Sequence, residues 1–214
     1  MTERFTFTSE RPSGAAELEA CLALPDKSGP AHGILLCHPH PAGGGEMDVG
    51  LLQVIERRGV AAGFAVMRFN FAGVGASTGL FTEGMDEPAD VGAAFEWMKS
   101  RDGIEEVSVA GWSFGAWMAL MALADGVPAE ACVAIAPPLM LYDWRPQVGR
   151  IAESSTTRHY IVGSNDQFCP LGFLEAFAKA ISEEDERNIM TLPSSDHFLN
   201  GREDMVAELV LEFA

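Results

Sequence analysis

Gly111-Trp112-Ser113-Phe114-Gly115 stands between two stretches of opposite character. Before it, residues 106–110 (Glu-Val-Ser-Val-Ala) read as a short strand. After it, residues 114–124 are apolar almost all round, as the helix of a buried layer must be. A serine on a strand–turn–helix corner, flanked by glycines, has the form of a nucleophile elbow. The glycines keep the tight turn free of side chains, and the helix N-terminus offers positive backbone charge to an anionic intermediate. A second G-x-S-x-G, Gly75-Ala76-Ser77-Thr78-Gly79, leads into Leu-Phe-Thr-Glu-Gly-Met, which is no helix. It reads as a flexible turn, so Ser113 is the candidate nucleophile.

Outward from this corner the chain alternates strand and helix. Residues 4–8 and 16–24 alternate polar and apolar and read as two antiparallel edge strands. Residues 33–37 are a continuous apolar run, expected of a central parallel strand. Further strands are expected at 64–69, 131–136, 158–162 and 188–192. Apolar residues at 47, 51, 54 and 55 predict a helix over 47–58, and Asp86 is placed to cap one over 87–100. A helix near 171–181 and a closing helix carrying Met205, Val206, Leu209, Val210 and Phe213 complete the pattern. This alternation predicts one α/β domain over residues 1–214, a mostly parallel sheet with helices on both faces. Ligands in such sheets bind beyond the carboxyl ends of the strands, so the strand-exit loops are where chemistry is expected.

Serine needs a base, and the base needs an acid to orient it. His197, in Ser194-Ser195-Asp196-His197-Phe198, is the histidine after Ser113 that falls in a strand-exit loop; His159 falls inside a strand. Asp166, in Gly163-Ser164-Asn165-Asp166, is the candidate acid, ahead of Asp143 and Asp196. An oxyanion hole needs two N–H donors. One is the amide of Phe114. The other should come from His38-Pro39-His40-Pro41-Ala42-Gly43-Gly44-Gly45, where proline cannot donate and His40 leads, with Ala42 or Gly43 behind it.

Gly111–Gly115, Asp166 and His197 in this order resemble the α/β-hydrolase superfamily. With His38-Pro39-His40-Pro41, Arg68-Phe69-Asn70-Phe71-Ala72-Gly73-Val74-Gly75-Ala76-Ser77 and Asp196-His197-Phe198, the chain is similar to small, lidless bacterial members. These are known mostly as predicted esterases related to dienelactone hydrolases. The resemblance runs from about Gly33 to the end and implies the fold and acyl-hydrolase chemistry. Ala72 departs from it, since that group often carries an arginine there. Ser113 sets the chain apart from dienelactone hydrolases, which use cysteine, and from dehalogenases, which use aspartate.

The expected activity is therefore serine-dependent cleavage of a small carboxylic ester. Thioester or peptide cleavage on the same fold is the next alternative. Two other classes stay open: a metal-dependent hydrolase using His38 and His40, and a non-catalytic binding protein on a hydrolase fold. The lead reading calls for no cofactor and no metal. The 21 residues 137–157, where a lid would be inserted, hold Met140, Leu141 and Trp144; with Phe168 and Phe198 they are expected to wall a short apolar pocket.

Composition narrows the partners. The 214 residues carry 31 acids against 14 bases, a net charge of −17. Such a surface repels phosphate backbones and anionic headgroups, so neither nucleic acid nor membrane is an expected partner. No apolar run approaches a membrane span, and the first ten residues lack the apolar core of a signal peptide. Cys21, Cys37, Cys132 and Cys169 form no CxxC pair and read as buried free thiols of a cytoplasmic protein.

Overall fold

The computed structural model describes residues 2–26 and 29–214. Among these residues eight strands form one sheet: β1 (Thr2–Ser9), β2 (Ala16–Ala23), β3 (Ala31–Cys37), β4 (Ala65–Phe69), β5 (Ile104–Trp112), β6 (Ala131–Ile135), β7 (Thr157–Gly163) and β8 (Ile189–Leu192). Their order is β1-β2-β4-β3-β5-β6-β7-β8. From β4 to β8 all pairs are parallel, while β2 is antiparallel to both β1 and β4. The expected α/β class is thus observed. Only β1 of the first two strands is an edge, because β2 lies between β1 and β4.

The helices are α1 (Gly50–Ala62), α2 (Glu87–Lys99), α3 (Phe114–Ala124), α4 (Val148–Glu153), α5 (Leu171–Ile181), α6 (Glu183–Arg187) and α7 (Glu203–Phe213). Strand alternation sorts the central apolar runs onto two faces. Ile34, Leu36, Val66, Val133, Ile135 and Ile161 pack with Leu52 and Ile55 of α1 and Val206 and Val210 of α7. Leu35, Cys37, Met67, Phe69, Val109, Cys132 and Tyr160 pack on the other face with α2, α3 and α5. Helix α3 is buried along nearly its whole length, as its all-round apolar sequence demands.

One helix start and one cap differ from expectation for tertiary reasons. Helix α1 begins at Gly50, not Met47. Met47 is buried ahead of it, and its N–H donates to Asn70 Oδ1 across 2.8 Å. Helix α2 begins at Glu87 as expected, with Asp86 at its N-cap position, but the Asp86 side chain makes no capping bond; its Oδ2 accepts from the Ser13 N–H instead. Glu87 reaches back over the helix start and accepts the N–H groups of Thr82 and Gly84, each at 2.7 Å. Arg11, its side chain 1% exposed, pairs with Glu87 and Asp90. Asp90 also accepts the N–H of Ala72. The cation beside Ala72 is therefore Arg11, from the β1–β2 connection.

The loop 75–79 is an ordered piece of structure. Ser77 Oγ donates to Asn70 O and accepts the Glu19 N–H, both at 2.8 Å, while Ala76 N–H and Asn70 Nδ2 donate to Glu19 Oε2. All four cysteines are buried and free. Among the described residues, no helix is long and apolar enough to cross a membrane.

Candidate active site

Strand β5 runs through Trp112, and the chain then turns at Ser113 into α3. Ser113 has φ +55° and ψ −117°, a conformation L-residues rarely hold. Both flanking glycines are required by close approach. A Cβ on Gly111 would lie 2.3 Å from Gly115 O, and one on Gly115 would lie 2.2 Å from Cys37 O at the end of β3. Helix α3 is thus pressed against the neighbouring strand, and the turn is held from both sides.

Three strand-exit loops meet over this corner. His197 Nε2 lies 2.8 Å from Ser113 Oγ. His197 Nδ1 lies 2.9 Å from Asp166 Oδ2 and 3.0 Å from Oδ1. Asp166 is in turn fixed by the N–H groups of Phe168 (2.8 Å) and Cys169 (2.7 Å), both donating to Oδ1. Ser113, Asp166 and His197 are all buried. The rivals lie elsewhere. Asp196 turns to the N–H of Phe198 in an Asx turn, and Asp143 pairs with Arg145 on the surface. His159 stacks on Phe213, ring centroids 4.2 Å apart.

The β7 and β8 loops are stitched together by Ser164 N–H to Leu192 O and Asn165 N–H to Ser195 O, each 2.9 Å. Gly163 permits this: a Cβ there would sit 2.3 Å from Ser195 O. Trp112 adds a tie, its Nε1–H donating to His197 O at 3.2 Å. Its role was hidden in sequence because it depends on a partner 85 residues away.

The loop after β3 closes the site from the other side. His38 is buried, with Nδ1–H donating to Pro39 O (2.7 Å) and Nε2 accepting the Phe71 N–H (3.1 Å). Burial lowers its pKa from 6.5 to about 4, and the acceptor role of Nε2 requires the neutral ring. Residues 41–43 form a 3₁₀ turn. Inside it, the N–H groups of Gly43 and Gly45 donate to His40 O, that of Gly44 to Pro41 O, and that of Ala42 to His40 Nδ1. Proline has no N–H, so every donor of residues 39–45 is committed except the amide of His40. Among the described residues no acceptor meets that amide. The Phe114 amide is the first of α3 and has no partner within the helix. Gly45 is more than a flexible spacer, since a Cβ there would lie 1.9 Å from Pro39 O, and Gly44 holds φ +81°.

Both imidazoles of the His38-x-His40 pair have their ring nitrogens engaged within the chain; His40 Nε2 meets Glu83 Oε2 at 3.1 Å. Among the described residues no group of three or more His, Cys, Asp or Glu is arranged to hold a metal ion.

A cavity of about 320 Å³ opens on Ser113. Leu141, Phe168 and Phe198 line it, together with His40 and Gly43–Gly45 of the oxyanion loop and with Val49 and Trp112, which the sequence did not single out. Met140 and Trp144 are corrections. Met140 faces solvent, and Trp144 packs edge-on against Phe177, so both border a separate shallow groove. In an irregular loop no periodicity fixes which way a side chain turns. The 137–157 segment forms a 3₁₀ turn at Arg145–Gln147 and the six-residue α4, too little for a multi-helix lid.

The profile of the X-Pro dipeptidyl-peptidase family, S15, matches residues 13–167. The chain belongs to that family. An uncharacterised protein of Rickettsia prowazekii is 35% identical over 106 residues, 49% of this chain. The chain spans 44% of that relative's length. Among solved structures, an α/β serine hydrolase homologue from Coxiella burnetii superposes with a TM-score of 0.83, at 26% identity over 98% of this chain and 96% of the other. An α/β serine hydrolase without a lid from Xanthomonas campestris gives 0.78 at 24% identity, over 98% and 93%. This S15 chain therefore has the α/β-hydrolase fold in a form shared with a lidless member.

Proposed function

We propose that the chain is a serine hydrolase that cleaves small, uncharged carboxylic esters through Ser113, His197 and Asp166. The observation that carries this reading is the unbroken relay from Ser113 Oγ to His197 Nε2, 2.8 Å, and from His197 Nδ1 to Asp166, 2.9 Å. Ser113 Oγ attacks the acyl carbon while His197 Nε2 takes its proton. Asp166 keeps the ring proton on Nδ1 and stabilises the imidazolium. The amides of Phe114 and His40 receive the oxyanion. His197 then protonates the departing alkoxide. A water, deprotonated by His197, attacks the acyl-enzyme and frees Ser113.

Leu141, Phe168, Phe198 and Val49 favour an apolar acyl or alcohol group, and among the described residues no Lys or Arg lines the cavity to favour a carboxylate. Esters ask least of the catalyst, and the reading needs no cofactor, nucleic acid or membrane. Four buried free thiols suit a cytoplasmic setting. The S15 match favours peptide cleavage as a second reading.

The test is labelling by a fluorophosphonate together with turnover of 4-nitrophenyl acetate, its thioester counterpart and Ala-Pro-4-nitroanilide. Labelling and ester turnover, both lost in Ser113→Ala, support the proposal. Preference for the anilide moves it to peptidase, and turnover that survives Ser113→Ala ends it.

A further inference from the structure

We infer that Glu83 is a positioning residue for the oxyanion hole, acting through the side chain of His40; this rests on the serine-hydrolase reading above. His40 Nδ1 accepts the Ala42 N–H at 3.1 Å, so the ring proton sits on Nε2. That Nε2–H donates to Glu83 Oε2, also 3.1 Å away. The ring is therefore held at both nitrogens, one within its own loop and one across a separate segment. Phe81 and Phe114 pack against the ring in T-shaped contacts, ring centroids 5.1 and 5.3 Å away. Fixing the ring fixes the backbone of residue 40, whose amide is the free donor of the loop.

Glu83 is mounted for this task. It has φ +58°, next to Gly84 at φ +95°, an unfavourable turn from which a 72% exposed side chain reaches His40. The turn is pinned on both sides of Glu83 by one buried group: Glu87 accepts Thr82 N–H and Gly84 N–H. Glu87 is itself held by Arg11, whose Nη1 also donates to Leu80 O. A buried ion cluster thus sets the segment, the segment sets Glu83, and Glu83 sets His40. Glu83 lines no part of the cavity. It touches neither substrate nor reacting atoms and acts only on the geometry of a donor that matters most in the transition state.

The variants are Glu83→Ala, Glu83→Gln and Glu83→Gly, the last removing the positive-φ strain along with the carboxylate. Kinetics with 4-nitrophenyl acetate are measured beside inhibition by phenylboronic acid, whose adduct with Ser113 places an oxygen in the oxyanion hole. Deleting an oxyanion donor costs on the order of 10²–10³ in kcat, and displacing one should cost about tenfold. Expected for Ala and Gly are a tenfold lower kcat, KM within about twofold, and boronate inhibition weakened by about the same tenfold factor. Gln should keep native values, because its amide oxygen still accepts the Nε2–H. Native kcat in either Ala or Gly, a loss confined to KM, or a Gln variant as poor as Ala overturns the inference. Its failure is distinct from failure of the serine-hydrolase reading, which shows in Ser113→Ala and in phosphonate labelling of the native protein.

Discussion

Asp166→Asn exchanges one oxygen for an amino group, and the surrounding hydrogen bonds dictate where that group goes. Oδ1 accepts two backbone N–H groups, from Phe168 at 2.8 Å and Cys169 at 2.7 Å. An asparagine must keep its carbonyl oxygen there, since an NH₂ facing two donors would leave all three unsatisfied. The amino group then takes the place of Oδ2, 2.9 Å from His197 Nδ1. Nδ1 also lies 3.0 Å from Oδ1, but that oxygen already serves two backbone donors, and an Nδ1–H would face the amino group; the amino group therefore donates to Nδ1, and the ring proton moves to Nε2. That nitrogen, 2.8 Å from Ser113 Oγ, can no longer accept the serine proton. In a comparable triad the wrong tautomer lowers kcat about 10⁴-fold, which is about 5 kcal/mol of barrier. Folding stability should fall by only about 1 kcal/mol, because both backbone bonds survive. Asp166→Ala differs in the second respect: it strips the acceptor from two amides, at about 1–3 kcal/mol each. Ester turnover, urea unfolding and ¹⁵N spectra of His197 measure the three quantities. An Asp166→Asn enzyme within tenfold of native activity, or one whose His197 keeps its proton on Nδ1, refutes the reasoning.

Ser77→Ala should leave turnover near native but cost about 1–3 kcal/mol of stability, because it leaves Glu19 N–H and Asn70 O without their buried partner; urea titration beside an activity assay separates the two. Asp143→Asn should be silent in both, as Asp143 only pairs with exposed Arg145. His38, held neutral by burial with a pKa lowered from 6.5 to about 4, contributes stability that is complete above pH 6.5 and lost as pH falls towards 4, up to about 3 kcal/mol. Asp90 opposes it. Burial raises its pKa from 3.8 to about 6, so its contribution is greatest below 3.8 and fades as pH rises through 6. Asp90→Asn should therefore steepen the loss of stability between pH 6 and 4, and an unchanged slope in unfolding titrations would defeat that assignment. Across acetyl to palmitoyl esters, short soluble chains should be preferred, with no jump in rate at the micelle threshold, because the 137–157 segment builds no lid that an interface could lift.

The parts of this molecule that could be read from sequence are those whose cause is local. The strand before Ser113, the apolar α3 and the two glycines between them announce the corner directly, because a tight turn admits few residues. Asp166 and His197 were legible through position alone: both follow strands whose carboxyl ends must share one edge of the sheet. What stayed hidden depends on partners far along the chain. Met47 fits an apolar helical stripe, yet its N–H is drawn off by Asn70. Asp86 has the residue type of a cap, but Ser13 claims its carboxylate. Trp144 and Leu141 look alike as loop hydrophobics, and only the packing of Trp144 on Phe177 separates them. Trp112 and Glu83 carry no local mark at all, since their contacts, His197 O and His40, are set by topology.

The strained turn at Ser113 is supported by neighbours that touch its backbone, not its hydroxyl: Gly111 against Gly115, Gly115 against Cys37, and Ser113 N–H on Ile135 O. Nothing in that support depends on which small side chain projects from the corner. Cysteine or aspartate could therefore stand at this corner without the scaffold having to be rebuilt. Selection is then left free to exchange the reactive atom, so new chemistries on this frame are separated by single substitutions instead of by new folds.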